Sequence, residues 1–262
     1  MGKRIKSTAV LALTFCLVAG LAGGTNLTNK KPVDYVDPML GTSNSRWMLY
    51  PGPSMPFGMV KLSPDNQRKG WKAGYEYKIG NIAGFSHIHS WTMGGLLVVP
   101  TIGELKVVPG SEHNPDEGYR SRYSHSREVA SPGYYAVTLE DYGIRVELTS
   151  TTRAGFQRYT FPKVNEAHIL FDLEFPTEYG IEVLDAHIKK VSNNQIEGYS
   201  KQQSTRKPKK FRNEYTVHFV AELSRPFDSF GGWKDEKIYR DVDEISGNGD
   251  IGVFVNYSTS KK

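Results

Sequence analysis

The chain has 262 residues, 38% of them apolar, with 26 Gly, 14 Pro and a formal charge of +5. That length supports a sizeable core and excludes a minimal domain dependent on covalent staples. High Gly and Pro without a repeat period excludes collagen-like and low-complexity chains, and fits many strands joined by turns.

The first twenty-two residues stand apart. Lys3, Arg4 and Lys6 form a basic start, Ala9 to Gly20 is an apolar run, and Gly20 and Ala22 are small residues spaced like a cleavage signal. This reads as a bacterial signal peptide over 1–22, too short in its apolar part to span a membrane comfortably. The mature protein is expected to be secreted or periplasmic, without membrane attachment after cleavage. Cleavage removes three basic and no acidic residues, so the charge falls by three from +5 to +2. A nucleic-acid partner then loses its electrostatic support, and none is expected. The dense basic run Arg206-Lys207-Pro208-Lys209-Lys210-Phe211-Arg212 reads as a solvated loop. The sole cysteine, Cys16, lies inside the apolar run, so no disulfide, thiolate nucleophile or Cys-type metal site is expected in the mature chain.

Residues 23–33 form a polar leader, and 34–262 a single domain without an internal break. From Tyr35 the chain is turn-rich, with Asp37-Pro38, Gly41-Thr42, Pro51-Gly52-Pro53 and Pro56-Phe57-Gly58. Proline fixes φ and glycine permits positive φ, so this predicts a rigid irregular wrap. Short strands are expected at Met59 to Leu62, Leu96 to Val99 (stopped by Pro100) and Glu104 to Val108. Residues 109–133 read as a long polar excursion. Beyond Gly133 strict alternation predicts strands, with Tyr135, Val137 and Leu139 and then Ile144, Val146 and Leu148 on one side, joined by an Asp141-Tyr142-Gly143 turn. Phe156 to Phe161, His168 to Leu173, Ala186 to Val191, Gln195 to Tyr199, Tyr215 to Leu223 and Gly252 to Tyr257 continue the pattern. About ten strands and no amphipathic helix predict a large antiparallel β-sandwich. Ser258 to Lys262 reads as a hairpin turn with no returning strand, so the sandwich is expected to lack its final strand and the chain to be a fragment.

The richest stretch for chemistry is Gly70 to Pro100. Trp71, Ala73, Tyr75 and Tyr77 share one side if 71–77 is a strand, which would make an aromatic face for a sugar ring. Trp71 and Trp91 fit core packing equally well. His87 and His89 at i, i+2 would share a strand face, to pair structurally, grip a polar ligand or chelate a metal, although no carboxylate lies close in sequence to complete a ligand shell. Carboxylates for glycosidase-type acid–base work are present, but no two can be paired from spacing.

Asp37-Pro38-Met39-Leu40-Gly41-Thr42, Tyr50-Pro51-Gly52-Pro53-Ser54-Met55-Pro56-Phe57-Gly58-Met59-Val60-Lys61-Leu62-Ser63-Pro64-Asp65, Gly74-Tyr75-Glu76-Tyr77 and Gly84-Phe85-Ser86-His87-Ile88-His89 occur in that order. They strongly resemble the start of glycoside hydrolase family 92, the secreted, calcium-dependent, inverting exo-α-mannosidases. The resemblance implies an N-terminal β-sandwich followed by a linker helix and an (α/α)6 barrel. It implies that the general acid, general base and calcium ligands lie in that barrel, which this chain does not cover. No catalytic residue, metal ligand or bound calcium is therefore expected here. The expected partners are a mannose-containing glycan and the barrel. Trp71, His87, His89 and Trp91 are the candidate substrate-binding residues, with Trp71 or Trp91 matching a tryptophan that shapes the family's leaving-group subsite. The chain departs from the commoner pattern at Ser43 to Leu49 and at Ser90 to Met93. A free-standing carbohydrate-binding module is the competing reading.

Overall fold

A computed structural model describes residues 30–44, 49–67, 74–90, 93–175, 180–205 and 212–260. The chain divides into two compact units, 1–36 and 37–262. In the first, Pro32–Tyr35 is a 3-10 turn. Proline stands at its first position, where a missing N–H is harmless, and the Asp34 carboxylate accepts the Lys31 N–H at 2.8 Å.

The second unit is built on antiparallel sheets. The largest has seven strands in the spatial order Ser63–Asp65, Gly84–Ser86, Leu97–Ile102, Ala167–Asp172, Ile251–Tyr257, Ser229–Lys234 and Lys237–Arg240. A four-stranded sheet runs Glu214–Glu222, Gln195–Ser204, Ile181–Ser192 and Glu244–Gly247, and another runs Val129–Ser131, Tyr134–Leu139, Ile144–Ser150 and Gly155–Thr160. Asn81–Ile82 and Ser121–Arg122 form a short fourth pair.

Burial explains why some strands read as continuous apolar runs and others as alternation. Val98, Ile169, Phe171, Val253 and Val255 face the sheet that carries Ala186, Ile188 and Ile196. Leu97, Val99, Leu170 and Phe254 face the opposite way, onto Trp233, Tyr119 and Phe175. Both faces of these central strands are covered, so both sets of side chains are apolar. The sheet over 134–150 puts its large apolar side chains on one face, with Tyr135, Val137, Ile144, Val146 and Leu148 meeting Leu62, Tyr75 and Phe85, while the smaller Ala136 and Thr138 are buried on the other. The alternation reflects that difference between the faces.

Several expected elements differ. The residues Met59 to Leu62 form only an isolated bridge, Ser54 to Lys61, and the strand proper follows at Ser63–Asp65. Pro100 does not stop its strand, which continues to Ile102. Within Leu97–Ile102, only Leu97 and Val98 pair with Gly84–Ser86, so Pro100 lies beyond that ladder and its missing donor is tolerated. Glu104 to Val108 is not a strand. The unpaired edge expected at the last strand is not there: Ile251–Tyr257 is hydrogen-bonded on both sides, to Ala167–Asp172 and Ser229–Lys234.

Asp172 closes its strand as a buried carboxylate, accepting the Tyr119 hydroxyl at 2.6 Å and the Glu174 N–H at 2.9 Å. Burial outweighs both bonds and pushes its pKa up from 3.8 to about 7. The folded state thus holds this proton better than the unfolded chain does. That preference stabilises the fold below pH 3.8 and is lost as pH rises towards 7. Asp172→Asn, which can keep both partners, is expected to be more stable than the parent at pH 8 by about 1–4 kcal/mol and no more stable at pH 3.5, measured by urea unfolding. Phe254→Ala, which empties a buried site beside Trp233, Tyr119 and Phe175, is expected to cost about 3–5 kcal/mol. Val220→Ala, at a position 63% exposed, should stay within about 0.5 kcal/mol.

Candidate functional site

The loops that carry the motifs converge on one buried acid and one buried amide, Asp65 and Asn66. Asp65 Oδ2 accepts the Ser86 N–H at 2.9 Å, which ties the first strand to the segment leading into the histidines. The Asn66 side chain works in both directions. Its Oδ1 accepts the Glu76 N–H at 2.8 Å, and its Nδ2 donates to the Glu76 carbonyl at 3.0 Å. Arg120, also buried, donates to the Asn66 carbonyl at 2.9 Å and to Asn81 Oδ1 at 3.0 Å. Glu76 in turn accepts the Asn44 N–H at 3.0 Å, and the Tyr77 N–H donates to the Thr42 carbonyl at 3.1 Å. The Asp37–Thr42 turn is thereby fastened to the Gly74–Tyr77 segment by backbone-directed bonds that leave few buried groups unmatched.

Two glycines permit these approaches. A Cβ on Gly52 would lie 2.0 Å from the Leu62 carbonyl oxygen, and Gly52 N–H donates to Ser63 Oγ at 3.2 Å. Gly74 has φ +83°, and its Cβ would lie 2.1 Å from Asp65 Oδ1. Any side chain at either position would push these loops apart.

His87 and His89 do not share a face. The strand ends at Ser86, and the backbone then bends. His89 is 1% exposed, and its Nδ1 donates to the Lys61 carbonyl at 2.7 Å. Its Nε2 lies 3.3 Å from Asp65 Oδ1, and neither atom has another hydrogen-bond partner. The Tyr50 ring packs beside it, 4.9 Å between centroids. His87 is half-buried against Gly155, with Nδ1 3.5 Å from the Leu96 carbonyl and Nε2 3.4 Å from Gln157 Nε2. A neutral ring protonated on Nδ1 fits both contacts, donating to Leu96 and accepting from Gln157. The expected strand over 71–77 is also not found where it is described: Tyr75 is 1% exposed and belongs to the core, whereas Tyr77 is exposed and stacks on His125 at 3.8 Å. Trp71 and Trp91 lie outside the described residues, and so does the basic run over 206–211.

Sequence reasoning missed a second aromatic cluster. Glu128 accepts the hydroxyls of Tyr75 at 2.8 Å and Tyr135 at 2.6 Å, and its other oxygen meets His125 Nδ1 at 2.5 Å. His125 Nε2 faces the Tyr77 carbonyl at 2.8 Å. Burial and the carboxylate push the Tyr75, Tyr123 and Tyr135 hydroxyls well above their ordinary range, so all three stay neutral donors. Only their alternation with polar neighbours hinted at this role. Carboxylates of Glu117, Asp172, Glu174, Glu236 and Asp250 line an open cleft of about 400 Å3. Among the described residues, however, no three His, Cys, Asp or Glu side chains converge to hold a metal.

Burial lowers the His87 pKa from 6.5 to about 4, against a smaller opposing effect of the Leu96 carbonyl. A neutral His87 stabilises the fold above pH 6.5, and that contribution is lost as pH falls through 6.5 towards 4. His87→Gln is expected to flatten this acid limb by up to about 2–3 kcal/mol, read from urea midpoints at pH 4.5 and 7.

The model of the glycosyl hydrolase family 92 N-terminal domain matches residues 35–262. The fold is similar to the family GH92 alpha-mannosidase BT3965 from Bacteroides thetaiotaomicron, with a TM-score of 0.77 and 32% identity over 88% of this chain and 32% of that one. That mannosidase has also been solved in complex with mannoimidazole. The inverting mannosidase BT2199 from the same species is similar in fold alone, with a TM-score of 0.66 at 23% identity, over 87% of this chain and 30% of that one. An uncharacterized secreted glycosidase of Arthroderma benhamiae is 32% identical over 139 residues, 50% of this chain and 17% of that protein. The chain thus spans about a third or less of each of these relatives. With its motifs fastened together around Asp65 and Asn66 and the family model covering all of the second unit, this chain belongs to glycoside hydrolase family 92, as an N-terminal domain of that family.

Proposed function

We propose that the chain is the substrate-pocket and scaffold portion of a secreted family 92-type α-mannosidase acting on terminal α-mannosides of glycans. The observation that carries this reading is the one-sided coverage: 88% of this chain aligns with BT3965, but only 32% of that mannosidase is accounted for. The remainder, an (α/α)6 barrel in the family resemblance, would supply the general acid, the general base and the calcium ligands. Within this chain Trp71 and Trp91 would stack on the sugar, and His87 would border it, its Nε2 passing from Gln157 to a sugar hydroxyl. His89 would act at one remove, holding the loop through Asp65 and Lys61. The signal peptide over 1–22 and the secreted or periplasmic location belong to the same reading, supported by the secreted relative.

On this reading the isolated chain positions a glycan and does not cleave it. Assayed with an aryl α-mannoside and calcium, it is expected to give no turnover above buffer. Turnover that survives purification and disappears in Trp71→Ala or His87→Ala would place catalysis inside this chain and overturn the division of labour.

A further inference from the structure

The sheet that carries Ile181–Ser192, Gln195–Ser204 and Glu214–Glu222 turns Ala186, Ile188 and Ile196 inwards onto the large sheet. Its other face looks away from that core, and alternation along the strands builds two cross-strand rows there. His187, Tyr199 and His218 stand opposite one another on the three strands, and Lys189, Glu197 and Val220 make the next row. Ring centroids are 6.3 Å apart between His187 and Tyr199, and 5.8 Å apart between Tyr199 and His218. The rows are two residues apart along the strands, about 7 Å. Between them runs an open trough of about 390 Å3, floored at Gly198 and Phe219, with the Phe219 ring turned to the core.

The aromatic wall is set before any ligand arrives. Tyr199 donates its hydroxyl to Asp185 Oδ2 at 2.8 Å, and His187 Nε2 lies 3.1 Å from Glu244 Oε2. Little rotamer freedom is left for a ligand to remove. His218 is exposed, and among the described residues neither of its ring nitrogens has a hydrogen-bond partner, so it can both donate to and accept from a ligand. The opposite wall is electrically closed: Lys189 Nζ pairs with Glu197 Oε1 at 2.8 Å, so its one cation and one anion cancel. A charged ligand gains nothing from such a lining, whereas hydroxyl groups can bond to both members of the pair. Six side chains are also too few for a stable protein interface, which takes about 20 or more residues a side. Rings with polar tips, facing a neutral polar wall, suit a sugar. Its C–H face packs on an aromatic ring while its hydroxyls reach polar groups.

We propose that this trough is a second glycan-binding site, taking an uncharged stretch of a carbohydrate chain across the sheet on Tyr199 and His218. It is separate from the pocket that Trp71, His87 and Trp91 would line, because it lies on strands that carry none of those residues. The choice of a mannose-containing chain rests on the mannosidase reading; the trough itself requires only an uncharged pyranose chain.

Affinity electrophoresis of the intact chain, in gels containing soluble α-mannan or dextran, tests the proposal. Wild type should be retarded by α-mannan. Tyr199→Ala should raise the apparent Kd about tenfold or more, and His218→Ala should raise it in the same direction. Tyr199→Phe keeps the ring and loses only the bond to Asp185, so it should bind like wild type. His218→Ala removes an exposed ring without hydrogen bonds, so its urea midpoint should match wild type, which separates lost binding from lost folding. Trp71→Ala/Trp91→Ala should still be retarded. No retardation of wild type by either polysaccharide would overturn the proposal, as would retardation that Tyr199→Ala and His218→Ala leave unchanged. Equal loss in Tyr199→Phe and Tyr199→Ala would overturn it too, by assigning the effect to the Asp185 bond. Retardation lost in the tryptophan double variant but intact in Tyr199→Ala would sink this site and leave the pocket reading standing. Retardation by dextran alone, abolished in Tyr199→Ala, would leave the trough standing and count against the mannoside reading.

Discussion

Everything in the second unit hangs on one pairing, Ala167–Asp172 against Ile251–Tyr257. The two strands come from points more than eighty residues apart, and each has a further neighbour on its outer side, Leu97–Ile102 and Ser229–Lys234 respectively. With both faces covered, these four strands carry the hydrophobic area that no other sheet in the unit can supply. The contacts are long-range in sequence, so the sheet cannot form until most of the chain is present. Truncation within the last strand would therefore remove a central member and not an edge.

The motif loops are a different kind of structure. They are held by buried polar groups that bond to backbone, with Asn66 reading the Glu76 peptide unit from both sides and Arg120 closing over Asn66. Such networks are stable only when nearly every member is satisfied, and they then fix one loop conformation. Asp65 and His89 belong to the same set, with Asp65 Oδ1 3.3 Å from His89 Nε2. The pair is fully buried, so it shapes the loop and has no direct access to a ligand in this arrangement. The resemblance-bearing residues thus divide into a buried set that builds the loops and an exposed set that the loops present.

That division explains what could be read from sequence and what could not. Alternation identified the hairpin of 134–150 almost to the residue, because its large apolar side chains fall on one face and the period survives in them. Ser229–Lys234 escaped notice because its Phe-Gly-Gly-Trp centre has no period, and its glycines are set by the close approach of Phe254 and Ile245. Glu104 to Val108 alternates, yet it forms no strand, because Leu105 and Val107 are drawn onto the outer face of the large sheet without a partner ladder. The shared face predicted for His87 and His89 failed for a local reason. The i, i+2 rule holds only while the strand lasts, and this one ends at Ser86. The Glu128 cluster was beyond reach because its members are brought together from Tyr75, His125 and Tyr135 by tertiary packing alone.

The distribution of polar groups bears on where hydrolysis would occur. A glycosidase acid and base need two carboxyl groups facing one sugar, one of them free to give up a proton and the other free to take one. Near the histidines, the carboxylates are already engaged: Asp65 with Ser86 and His89, Glu76 with Asn44, Glu128 with two tyrosines and His125. Each holds a loop in place, and releasing it to exchange protons with a substrate would loosen the wall it supports. Asp172, with a pKa lifted to about 7, has the value a general acid needs, but it is buried, opposite Leu97 in the large sheet, and bonded to Tyr119 and Glu174. A perturbed pKa in that setting follows from burial and is no sign of catalysis. The polar chemistry near the candidate site is thus committed to rigidity. That is what a pocket wall requires, and it favours a reading in which the reacting groups arrive from the other side.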